Sequence, residues 1–97
     1  MPRIVVTPGA QQGLERCRRF LVGKNPIAAR RAADEIRRQF RLLATQPEIG
    51  RPAFDDANHR ELLITFGDSG YVARYHHLRS EGIILILAFR HQKEAGY

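Results

Sequence analysis

From Arg60 onward the chain alternates between apolar runs and turn residues. Leu62, Ile64 and Phe66 alternate with Leu63 and Thr65, the period-two pattern of a half-buried strand. Gly67, Asp68, Ser69 and Gly70 supply turn chemistry, and residues 71–78, rich in aromatic and polar side chains, read as a second strand. Residues 79–82 make the next turn. Residues 83–89 (IILILAF) form a third strand, apolar on both faces, which predicts a central strand covered from both sides. The three strands make an antiparallel meander that ends in a polar, basic tail.

Upstream the period changes. Residues 3–7 are a short β-branched strand, and Thr7-Pro8 reads as an N-cap with proline in the first turn. Ala10, Leu14, Cys17 and Leu21 then recur at helical spacing, predicting an amphipathic helix from Pro8 to about Val22, stopped by Gly23-Lys24, with Arg16 and Arg19 outward. Asn25-Pro26 repeats the cap signal, and Ala28/Ala29, Ala32, Ile36, Phe40 and Leu43 mark a second helix to about Gln46. Asp34 and Arg38 are spaced for an i,i+4 ion pair. The short link predicts a helical hairpin, and residues 47–59 read as a polar loop. The expected fold is α+β, in the order β-α-α-β-β-β, with the hairpin packed on a mainly antiparallel sheet.

Ninety-seven residues suit one domain. No apolar run approaches the roughly 20 residues needed to cross a bilayer, and no secretory signal is visible, so a cytoplasmic location is expected. The lone Cys17 has no internal disulfide partner. Charge is uneven: the net +6 is concentrated before Pro47, where ten Lys/Arg face three acids, whereas the remainder is slightly acidic. A positive helical half favours an acidic partner, nucleic acid or protein; the alternative is a solvated arginine-rich surface.

Candidate chemistry is sparse. His76 and His77 are adjacent and point to opposite faces of a strand, so they cannot share a metal ion, and no metal or cofactor is expected. Cys17 lies in the apolar stripe of a helix, as a buried structural thiol does. Ser69 lacks the strand-to-helix setting of a hydrolase nucleophile. A metal-free ribonuclease needs a proton acceptor, a proton donor and a cation for the phosphorane. Arg74 and His76 share one face of the second strand, and Arg90, His91, Lys93 and Tyr97 cluster at the C-terminus. The competing reading is a polar sheet edge with a solvated tail.

The ordered combination of NPIAARRAADEIRRQFRLLATQPEIGRP, RELLITFGDSGYVARYHHL and IILILAFRHQKEAGY resembles the RelE/ParE superfamily of type II toxin–antitoxin toxins, especially ParE-type plasmid-stabilisation members. The resemblance implies a growth inhibitor neutralised by a cognate antitoxin, often as a hetero-oligomer. RelE-type members cut mRNA in the ribosomal A site, whereas ParE-type members poison DNA gyrase. Aligned on Ser69-Gly70-Tyr71, the two functional lysines of RelE-type toxins fall on Leu63 and Thr65, and an arginine falls on Val72. Their C-terminal arginine falls near Gln92 or Lys93, and their terminal tyrosine on Tyr97 across a one-residue gap. With three cations replaced, the expectation is a gyrase-binding toxin with a target surface at Arg90, His91, Lys93 and Tyr97. The alternative is an mRNA endoribonuclease with Arg74, His91, Lys93 and Tyr97 as catalytic candidates.

Overall fold

In the computed structural model, which describes residues 1–94, strand β1 (Arg3–Val6) runs directly into helix α1 (Pro8–Lys24) through Thr7. The Thr7 hydroxyl accepts the Ala10 N–H at 3.3 Å and donates to the Ile86 carbonyl at 2.7 Å. One side chain therefore caps the helix and ties its start to the sheet. Asn25 alone separates α1 from α2 (Pro26–Thr45). Its N–H closes onto Leu21 O at 2.7 Å, and its Oδ1 accepts the N–H groups of Ile27 and Ala28. Because one residue caps both helices, α1 continues through Gly23-Lys24, where the sequence pattern suggested a stop.

The hairpin lies on one face of a five-stranded sheet whose spatial order is β1-β5-β4-β3-β2. The remaining strands are β2 (Arg51–Pro52), β3 (His59–Phe66), β4 (Ser69–Leu78) and β5 (Ile83–His91). Only the β1–β5 pair is parallel. The α+β order and mainly antiparallel sheet are as expected. The short edge strand β2, hidden in the expected loop, is an addition, and β3 and β5 run further than the alternation indicated. Gly67 (φ 60°) and Asp68 make a two-residue turn between β3 and β4, with glycine where positive φ is required.

Three features build the core. First, α1 presents Ala10, Gly13 and Cys17 to the sheet, so the helix approaches the β5 backbone closely. Second, Ile64, Tyr71, Tyr75, Ile84, Ile86 and Phe89 project from the sheet beneath the hairpin, with Phe89 stacked on Tyr71 and edge-on to Phe40. Third, Tyr75 pairs with Ile86 but Arg74 with Ala88, so Leu87 is the extra residue of a β-bulge. The bulge shifts the alternation by one and brings Phe89, not Ala88, into the core.

The third meander strand is central, as expected, but it is covered on one side only. Both helices belong to one hairpin and pack on the same face. Ile83 and Leu85 lie on the other face with Val5, Leu63 and Val72, and among the described residues no helix covers them. The PEIGRP segment is a clasp. The Tyr75 hydroxyl donates to Pro47 O (2.7 Å) and accepts from Gly50 N–H (2.9 Å), while Arg60 donates to Gly50 O (2.7 Å). Glu48 completes the clasp through Arg60 and Arg79. On α2 the expected Asp34–Arg38 pair does not form. Asp34 binds Arg37 and Glu35 binds Arg38, each one residue closer along the helix.

Candidate functional site

The register places Leu63 opposite Val72 and Val72 opposite Arg90, forming a row across β3, β4 and β5 on the face away from the hairpin. Thr65 and Gly70 form the next row. Leu63, Thr65 and Val72 are positions at which the resemblance would put phosphate-holding cations. Val72 is buried and Leu63 is 51% exposed, so the centre of the row is apolar. Arg90, its one cation, directs Nη1 at the carbonyls of His91, Gln92 and Glu94, at 3.2–3.3 Å.

His91 lies on the opposite face. It is paired with Tyr71 and its ring stands edge-on to that tyrosine at 5.6 Å. Its Nδ1 accepts the Lys93 N–H at 3.1 Å, which assigns the ring proton to Nε2, 2.6 Å from Ser69 Oγ. Both nitrogens are thus engaged in holding the C-terminal turn. Arg16 secures the same turn by donating to Glu94 (2.7 Å) and to Phe89 O (3.4 Å), so it points toward the tail rather than simply outward. Lys93 is exposed in this turn, and Tyr97 lies outside the described residues.

Partial burial pushes the Glu94 carboxyl up, but the Arg16 guanidinium and the His91 N–H outweigh it and hold the group below the usual range. A depressed carboxylate stabilises the fold above its unfolded pKa, near 4.5, and this contribution disappears as pH falls through the folded value. Because the pair is partly exposed, Arg16→Gln is expected to cost at most about 1 kcal/mol at neutral pH. The cost should shrink on acidification below pH 4.5, with faster amide exchange confined to residues 91–94. Parallel urea melts at pH 7 and pH 3.5 check this.

Arg74 stands on the open face in a cluster that the sequence did not reveal. It makes a two-pronged bond to Asp55 (2.8 and 3.2 Å) and donates from Nε to His59 Nδ1 at 2.9 Å. The Arg74 bond holds the Asp55 carboxyl below its ordinary range. His59 Nε2 lies 3.5 Å from Asp56, and its ring lies 5.4 Å from that of His76. His76 and His77 do face opposite sides. Arg74 and His91 likewise stand on opposite faces, so these two candidates cannot grip one phosphate from the same side. His59 joins Arg74 only through the His59–His76 register, which no local sequence signal encodes. Cys17 is buried, and that burial pushes its thiol up to about 11, far from a reactive thiolate.

Residues 4–96 match the family described as the ParE toxin of the type II toxin–antitoxin system parDE. The chain belongs to this ParE/RelE toxin family. It is also similar to Toxin RelE3 of Caulobacter vibrioides, at 37% identity over 75 residues, covering 77% of this chain and 79% of that protein. Membership in a type II system implies a cognate antitoxin as partner. The family description carries the ParE name and the relative the RelE name, so the names do not distinguish the two targets. Among the described residues no helix is long and apolar enough to cross a membrane.

Proposed function

We propose that this ParE/RelE-family toxin arrests growth in the cytoplasm by binding DNA gyrase and not by cutting RNA. The carrying observation is the Leu63–Val72–Arg90 row. A nuclease on this face would need cations around a developing phosphorane dianion, and losing a single such donor costs about 10²–10³ in rate. Here the row offers a buried valine, a leucine and one arginine bonded to tail carbonyls. A row that is apolar at its centre, with polar side chains around it, instead suits protein contact. The cognate antitoxin is expected to lie along this face and the hairpin. The reading requires no metal or cofactor.

The test is pulse-labelling after the toxin is induced without antitoxin, following thymidine and methionine incorporation over the first minutes. DNA synthesis is expected to fall first, and purified toxin is expected to block supercoiling by gyrase holoenzyme. Early collapse of protein synthesis would overturn this reading in favour of an endoribonuclease, with the Arg74–His59–His76 cluster as the place to seek its acid and base.

A further inference from the structure

We propose that the tip of the helical hairpin is the anchor by which this toxin engages its protein target, and that it inserts into an apolar pocket with an acidic rim. The inference rests on the target-binding reading above and places the target contact on the hairpin instead of on the C-terminal residues that the sequence suggests.

On α1, Ala10, Gly13 and Cys17 face the sheet, and Phe20 continues their row by three residues. Gly13 sits over the Phe89 backbone and Cys17 beside Glu94. Beyond that level Leu21 still packs against the core, but Phe20 is 64% exposed. Ile27, in the first turn of α2, is 60% exposed, and Val22 also reaches solvent. A stripe that is buried over the sheet and bare beyond it marks a surface awaiting a partner.

Charge indicates the kind of partner. Residues 16–33 contain six Lys/Arg and no Asp or Glu. Arg16, Arg18 and Arg19 reach acids outside that stretch, but among the described residues Lys24, Arg30 and Arg31 have no ion pair. Lys24 lies over the Phe20 ring, 5.1 Å from its centroid. The first turn of α2 also lacks an acid, so its positive helix end adds to the same field. Shape and chemistry then select the occupant. A protruding tip suits a concave pocket on a larger body, whereas an antitoxin segment needs a groove or a face, which the open side of the sheet and the flank of the hairpin provide. Aromatic and aliphatic side chains at the centre with cations around them follow the anchor-and-rim plan of a protein interface. A phosphate backbone would leave Ile27 and Val22 unused.

The deciding experiment expresses two variants without antitoxin, Phe20→Ser/Ile27→Ser and, independently, Arg30→Glu/Arg31→Glu, and follows growth. Each is also co-expressed with the cognate antitoxin, and the complex is purified and melted. Loss of central anchors is expected to weaken target binding by about thirtyfold or more, enough to abolish growth arrest. Complex size and melting temperature should stay as in the wild type. Undiminished arrest by both variants would overturn the proposal. Loss of antitoxin capture by the charge-reversal variant, which alters surface residues only, would also overturn it by assigning the tip to the antitoxin. Growth is read whatever the target, so protein synthesis failing first would remove the gyrase reading while leaving the tip variants decisive.

Discussion

Gly13→Val is expected to lose the native fold at temperatures where the wild type is stable. A Cβ at position 13 would stand 2.0 Å from the Phe89 carbonyl oxygen and 3.0 Å from its carbon. Both atoms are backbone in a strand that is paired with β4 at this level (Ala73 opposite Phe89), so neither can swing away as a side-chain terminus would. Helix α1 would have to lift by about an ångström along its contact with β5. Phe89 is 2% exposed and packs on Tyr71 and Phe40, so the lift would open the centre of the core. Overpacking typically costs about 1–3 kcal/mol and sometimes more, and here the obstacle is main chain rather than a side chain that could turn aside. A loss of about 3 kcal/mol or more is a large share of the roughly 5–15 kcal/mol that stabilises a domain. Gly23→Ala is the internal control, because nothing lies within 4 Å of its Cβ. It should raise stability by up to about 1 kcal/mol through helix propensity alone. Urea midpoints of the two variants should therefore move in opposite directions.

Gly13 also shows where sequence reading stops. Ala10, Leu14, Cys17 and Leu21 announced the helix and its inner face, and the Thr7-Pro8 and Asn25-Pro26 pairs announced both starts. These are local signals, carried by residues a few positions apart. The strand alternation was equally legible, as was the opposition of His76 and His77. Facts that depend on register were not. The Leu87 bulge, the two-residue strand Arg51–Pro52 and the meeting of His59 with Arg74 each need a partner strand to define them. Similarly, a continuous apolar run reports that Ile83 and Leu85 avoid water, but not whether this chain or another covers them. Arg90, His91 and Lys93 suggest a cluster only because they are close together in sequence. In the sheet, alternation sends Arg90 and His91 to opposite faces, and each is bonded into the turn.

Tyr75→Phe is expected to be the most damaging removal of a single atom in the molecule. Tyr75 is fully buried, and its hydroxyl both donates to Pro47 O and accepts from the Gly50 N–H. Removing it leaves two backbone groups without partners. The Pro47 carbonyl is half-exposed and recovers water, but the Gly50 N–H is buried. An orphaned buried donor costs about 1–3 kcal/mol, so a loss of about 2–3 kcal/mol in total is expected. The effect should be local before it is global. With Gly50 released, the 2.7 Å bond from Arg60 to Gly50 O weakens, and with it the attachment of Glu48 to Arg60. Amide exchange at residues 48–51 should therefore accelerate under conditions where β4 and β5 remain protected. Gly50→Ala attacks the same clasp from the other side, since its Cβ would lie 2.7 Å from Tyr75 Cε1 and Oη and 2.9 Å from Glu61 O. Phenylalanine at position 75 removes only the oxygen contact and leaves the Cε1 and Glu61 contacts in place. The double variant should consequently be no more stable than either single one. A double variant that regained wild-type stability would mean that the hydroxyl, not the close packing of the clasp, is what excludes a side chain at position 50.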